Sequence, residues 1–191
     1  SSGLIAIKLS ANDSLCWARL TGGEDQVLLV SHEGKSIKFA EKDIRPTARD
    51  TMGVRGISLK KDDFVVGMEV FPTKLEKLTD GRKKIFRDIL VIMEKGIGKR
   101  TDLSQFPLQK RGGMGVKVAE ITPKTGKVAC ARMVNEQTEQ VILSNKNAQI
   151  IKLPVRNIPR LGRATQGVIL MRFNQPDDAI AAVTCLTKEE G

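Results

Sequence analysis

The 191-residue chain is 40% hydrophobic, enough apolar content to bury a core, which excludes a disordered tail. Lys and Arg total 32 against 22 Asp and Glu, a net charge of +10 with a pI near 9.7, and that balance suits a polyanionic partner, either nucleic acid or an anionic membrane face. No apolar run approaches the ~18 residues that would span a bilayer, and no signal peptide opens the chain, so the expected location is the cytoplasm.

From the N-terminus, Ser1-Ser2-Gly3 reads as a cloning scar or a cut end, and residues 3–9 read as a strand. Three segments then align without gaps. Val27-Leu28-Leu29-Val30 is followed by Gly34, Ile37-Lys38-Phe39, Ile44, Arg49 and Gly53-Val54. Ile89-Leu90-Val91-Ile92 is followed by Gly96, Lys99-Arg100-Thr101, Phe106, Arg111 and Gly115-Val116. Val141-Ile142-Leu143-Ser144 is followed by Ala148, Ile151-Lys152-Leu153, Ile158, Arg163 and Gly167-Val168. The copies are offset by 62 residues (Gly34 to Gly96) and then by 52 (Gly96 to Ala148). The extra length falls in the polar stretch 73–87, predicted as a longer loop.

A second element recurs after each Gly-Val: a short strand, an acidic turn and another strand, as in 54–59, Asp62-Asp63 and 64–70, or 168–173, Asp177-Asp178 and 179–186. Residues 3–9 are its first copy, so the chain starts inside a repeat. The β-branched runs between Gly, Asp and Asn predict strands. Gly34 and Gly96 sit where a tight hairpin needs positive φ, and Asn145, Lys146 and Asn147 surround the third such turn. No amphipathic helix is legible. Repeats of roughly 50 residues, each worth about four short strands, are the signature of propeller blades. The expected fold is all-β and propeller-like, with about four blades of four short antiparallel strands in one repeat domain over 1–191.

Each repeat carries basic residues at fixed places. Lys38, Arg100 and Lys152 share one position, and Arg49, Arg111 and Arg163 share another. Arg45, Arg55, Lys99, Lys110, Lys117, Arg156 and Arg160 lie nearby. A row of cations on rotationally related blades can follow a phosphate backbone over a long path. Glycines in the same connections, including Gly112, Gly113 and Gly115, would let backbone N–H groups approach a phosphate. The alternative is that the repeated Arg and Gly solve the blade-to-blade turn, with the arginine capping a neighbouring carbonyl.

Gln109-Lys110-Arg111-Gly112-Gly113-Met114-Gly115 resembles the gyrase box of DNA gyrase A, Gln-basic-Arg-Gly-Gly-basic-Gly, with Met114 in place of the second basic residue. Thr51-Met52-Gly53-Val54-Arg55-Gly56-Ile57, Glu94–Thr101 and Gly162–Leu170 resemble the last blades of the C-terminal domain of the same family, in the same order. The resemblance implies a β-pinwheel, a propeller-like disc with strands exchanged between neighbouring blades, and duplex DNA wrapped around its basic rim. It also implies that the chain is a fragment of a larger DNA-wrapping domain, working with the N-terminal core of gyrase A and with gyrase B in a bacterial, nucleoid-associated enzyme. In that family the box lies in the first blade, whereas here the matching sequence lies in the third unit, so whether 109–115 replaces the usual box stays open. The corresponding domain of the paralogue, DNA topoisomerase IV, is the nearest alternative. The isolated domain is expected to be a monomer without a cofactor.

Catalysis by this chain is not expected. It contains no tyrosine for attack on DNA and no GxxxxGK[ST] loop for ATP. His32 is the only histidine, so no Ser/His/Asp constellation or zinc site is legible. The paired aspartates recur in matched turns, which favours turn chemistry over acid–base work. Cys16, Cys130 and Cys185 form no CxxC pair and are expected as buried free thiols. Trp17 and the phenylalanines fall mainly in apolar strands and are expected in the core, not as a base-stacking platform. A protein-interaction propeller that uses its flat face, or a propeller hydrolase, are the rival classes.

Overall fold

The computed structural model describes residues 3–73 and 87–188. In chain order its strands are β1 (Asp25–Ser31), β2 (Lys35–Ala40), β3 (Val65–Pro72), β4 (Arg87–Met93), β5 (Ile97–Asp102), β6 (Val116–Lys117), β7 (Val128–Asn135), β8 (Thr138–Asn145), β9 (Ile150–Pro154), β10 (Val168–Ile169) and β11 (Ile180–Thr187). They form three antiparallel sheets in the orders β3-β1-β2-β6, β10-β5-β4-β7 and β11-β8-β9. A 3-10 turn follows β2 at Glu41–Asp43, β5 at Leu103–Gln105 and β9 at Val155–Asn157, which is the second strand of each repeat.

The first two sheets each borrow a strand from the following repeat. Val116 and Lys117 pair with Ser36 and Lys35, and Val168 and Ile169 pair with Gly98 and Ile97. The glycine before each borrowed strand explains the geometry. Gly115 and Gly167 have φ of +67° and +95°. A Cβ on Gly115 would lie 2.2 Å from the Ser36 carbonyl oxygen, and one on Gly167 would lie 2.6 Å from that of Gly98. The chain crosses another backbone there, at a distance and a φ that only glycine tolerates.

Apolar residues fill the spaces between sheets. Ile89, Val91 and Met93 of β4 pack with Leu28, Val30 and Phe71 of the first sheet, while Leu90 and Ile92 pack with Val141 and Leu143 of the third. Sandwiching on both faces is why these strands read as continuous apolar runs instead of alternating ones. The third strands β3, β7 and β11 contact one another in sequence. They form the hub, and the opposite sheet edges, which carry the connections, form the rim.

Several expectations shift. Residues 3–9 and 54–59 are not strands, and of 168–173 only Val168–Ile169 is one. This segment becomes a strand by docking on the preceding repeat's second strand, as Val116–Lys117 and Val168–Ile169 do. Three sheets therefore stand where about four blades were expected, and the third has three strands. Gly34 and Gly96 take the positive φ expected of them, but in the third hairpin it falls on Ala148 (φ 62°), not on an asparagine. Asn145 instead donates to Gln149 Oε1 (3.1 Å) and Asp178 Oδ2 (2.6 Å). The predicted loop at 73–87 lies largely outside the described residues. Cys16 is exposed and Cys130 and Cys185 are half-buried, so full burial does not hold for the thiols. Phe39, Phe71 and Phe106 are core residues, but Phe64 is exposed and stacks on His32 with ring centroids 4.4 Å apart.

Candidate nucleic-acid interface

The connections after the second and third 3-10 turns run along the rim edge of the preceding sheet. Gln109 N–H donates to the Lys38 carbonyl (2.7 Å), and Leu161 N–H donates to that of Arg100 (2.8 Å). A tight turn follows, bearing the repeated arginine, and then the crossing glycine.

The arginines of the second and third repeats make matching bonds. Arg111 Nε donates to the Asp43 carbonyl (2.8 Å), and its Nη1 donates to that of Arg55 (3.1 Å). Arg163 Nε donates to the Gln105 carbonyl (3.1 Å), and its Nη1 donates to that of Lys117 (2.5 Å). Asp43 and Gln105 are repeat equivalents, as are Arg55 and Lys117, so one clamp is built twice. Each guanidinium ties a 3-10 turn to a crossing segment and spends two of its five donors doing so. The carbonyl-capping role is thereby part of the fold, and the fixed cations remain half-exposed at the rim. Arg49, at the same position in the first repeat, is exposed.

Two expected contact residues are corrected by burial. Lys38 is 7% exposed and Lys99 0%. Lys99 Nζ donates to the carbonyls of Gly162 (2.7 Å) and Arg163 (2.7 Å) and bonds Thr165 Oγ1 (3.2 Å). It therefore fastens the third repeat's turn from below and presents no charge to a ligand. Burial, with the Arg163 charge adding to it, pushes its pKa down to about 8. Arg100 is half-buried and bound to the Ile158 carbonyl (2.8 Å) and to Asp88 Oδ2 (3.2 Å). The shared position of Lys38, Arg100 and Lys152 is thus not a uniform row, since only Lys152 is exposed.

Arg160 is exposed but committed. Its Nε and Nη2 lie 2.8 and 2.7 Å from Asp88 Oδ1, and Nη2 lies 2.8 Å from Asp102 Oδ2. Asp88, 0% exposed, gathers both arginines. It has no motif around it, and sequence reasoning missed it. Lys117 is exposed and pairs with Glu120 at 3.0 Å. Arg45, Arg55, Lys110 and Arg156 are exposed along the connections. Within the box-like segment, Gly112 has φ +81° and donates to the Gly56 carbonyl (2.6 Å), the Gly113 carbonyl accepts from Ser58 N–H (2.8 Å), and Gln109 is half-buried. These glycines serve the turn. The acidic turns do likewise: Asp63 Oδ1 accepts from Glu33 and Phe64 N–H, and Asp178 Oδ1 from Ala179 N–H. Among the described residues no cluster of three or more His, Cys, Asp or Glu side chains could hold a metal ion.

The rim thus offers exposed or half-exposed cations on three successive connections, with no cleft needed to reach them. Such an arrangement can bind a long polyanion through its backbone charges.

Compared with known proteins, the chain matches the family model of the DNA gyrase C-terminal domain, a β-propeller, over residues 25–72, 87–135 and 139–186. The DNA gyrase A protein of Staphylococcus epidermidis (strain ATCC 12228) is 37% identical over 172 residues, covering 90% of this chain and 18% of that protein. This chain therefore spans about a fifth of the length of the curated relatives it matches. Among solved structures, a DNA gyrase A C-terminal domain superposes with a TM-score of 0.79 at 24% identity, covering 96% of this chain and 58% of that one. The C-terminal domain of a DNA topoisomerase IV gives 0.82 at 20% identity, covering 95% and 53%. These two likenesses carry the fold.

Proposed function

The chain belongs to the DNA gyrase C-terminal domain family, and from that premise we propose that it is a non-catalytic module that binds duplex DNA along its rim and bends it. The observation that carries the reading is the repeated basic connection, with Arg49, Arg111 and Arg163 at one position on three successive repeats. In a type IIA topoisomerase, a curved path of this kind would present a neighbouring DNA segment to the cleavage core with a fixed handedness. Strand passage driven by ATP would then introduce negative supercoils. Cleavage and ATP hydrolysis belong to the rest of such an assembly, the N-terminal core of gyrase A and gyrase B, in the bacterial cytoplasm.

Affinity rests on phosphate contacts, with little base readout. Smooth bending of a 20–30 bp site by 40–90° costs roughly 1–6 kcal/mol, which a distributed row of contacts can offset and one or two contacts barely could. Of the expected contact residues, Arg45, Arg49, Arg55, Lys110, Lys152 and Arg156 support the reading best, because they are exposed and none of them forms an ion pair among the described residues. Arg111 and Arg163 add fixed charge, and Lys117 and Arg160 would have to share theirs with carboxylates.

The test is duplex binding by fluorescence anisotropy across a salt series. About 5–8 phosphate contacts predict a log–log slope of roughly −4.5 to −7. Arg49→Glu should weaken binding and flatten the slope while leaving the melting temperature unchanged. A slope near zero, or strong preference for one sequence over random DNA of equal length, would contradict the reading.

A further inference from the structure

The three rim turns share one residue spacing, and two of them carry an exposed methionine. Met52 and Met114 occupy the same place, three residues after the repeated arginine and one before a positive-φ glycine, and the third repeat has Gln166 there. Met52 is 60% exposed and Met114 61%, although the sheets behind them offer deep apolar spaces that bury Met93 and Met171 almost completely. Gly113 and Gly115 flank Met114, and Gly53 follows Met52. The methionine is thus the large apolar side chain at its turn, beside Lys110 and Arg111 in one case and Arg49 in the other.

A methionine this exposed contributes little to the core. It is flexible and polarizable, and it adapts to irregular apolar surfaces. Placed among cations that hold a phosphate backbone, such a side chain reaches apolar sugar and base surface. Proteins that bend DNA use apolar side chains of this kind, methionine included, as wedges at a base step, trading some stacking for a bend that brings more protein surface into contact. We propose that Met52 and Met114 are wedge residues that localise the bend at two of the three rim turns, with Gln166 marking a turn that holds DNA without unstacking it. The inference rests on the DNA-binding reading above and adds to it where along the rim the duplex deforms. Pyrimidine–purine steps, which unstack most easily, would be the steps seated over the two methionines.

The test compares the parent chain with a Met52→Gln/Met114→Gln double variant. Glutamine is the residue the third turn already carries, and the arginines and glycines are untouched, so the fold is preserved. Both proteins are saturated with a duplex rich in TA steps. Unstacked thymines are mapped by permanganate oxidation, bending is read by end-to-end energy transfer, and affinity is read across a salt series. The parent should show discrete thymines oxidised above free duplex. The double variant should lose that reactivity and part of the bend while keeping the parent's salt slope, and Gln166→Met should add a further reactive position. Equal oxidation and equal bending by parent and double variant would overturn the wedge. So would a parent that binds and bends DNA with no thymine enhanced, and in both cases the DNA-binding reading would stand. A parent that binds no duplex at low salt would overturn that reading and the wedge with it.

Discussion

Lys99 shows how little a single basic residue reveals about its task. By residue type it could be a DNA contact, yet its role is structural: three acceptors surround its Nζ, matching the three donors of an ammonium. Its repeat equivalents are Ile37 and Ile151, both packed in the core, so the repeat position and not the residue type marks it as inward-facing. Replacing it with methionine strands buried acceptors and should destabilise the fold by about 1–3 kcal/mol, seen in denaturant melts. The pH dependence carries a sign. The folded-state pKa is pushed down to about 8 from the ordinary 10.5. Between those two values the unfolded chain retains a proton that the folded chain has released, so this residue makes stability rise with pH across that window. Lys99→Met should lack that rise. A variant whose stability matches the parent at every pH would show that Lys99 does not fasten the third turn. Arg49 is the contrasting case, because its equivalents Arg111 and Arg163 clamp preceding-repeat carbonyls while it stands exposed. Of the three repeated arginines, Arg49 is the one at which charge reversal separates DNA contact from folding.

The element that defines the fold is the borrowed strand. Gly115 is its pivot, with φ +67° and the Ser36 carbonyl 2.2 Å from where a Cβ would sit. Gly115→Ala should therefore cost more than Gly23→Ala, where φ is +91° but nothing lies within 4 Å. The second change carries only the backbone strain of about 1–2 kcal/mol. The first adds a clash with backbone that only withdrawal of the β6 strand relieves. Hydrogen exchange at Ser36 and Val116 reads it directly, with faster exchange in Gly115→Ala only; equal exchange in both variants would remove the pivot. The spacing from arginine to glycine is visible in the sequence, and so are the apolar runs of β1, β4 and β8. What the sequence hides is which repeat a strand serves. Residues 54–59 and 116–121 have similar patterns, yet Val116–Lys117 is a strand and 54–59 is not, because pairing depends on a partner contributed by another repeat.

Across the whole molecule, the three aligned repeats, the all-β class and the family were legible because they rest on periodic apolar and glycine positions, which serve folding in each copy alike, whereas the expected count of about four blades gives way to three sheets among the described residues. The candidate interface was legible only in part. Repetition of charge does not distinguish a clamp from a contact, as the buried Lys38 and the committed Arg100 and Arg160 show. Curvature is a property of the assembled rim and of no single residue. It follows from sheets joined at the hub by β3, β7 and β11 with their basic edges pointing away. Whether this rim bends duplex DNA along a path of fixed hand can be read by closing nicked plasmid with ligase in the presence of increasing amounts of the chain and then resolving the topoisomers. Wrapping of fixed hand should give a linking-number shift of one sign that grows with bound protein and disappears at high salt. Unchanged linking number on plasmid that is demonstrably saturated with protein would rule such wrapping out.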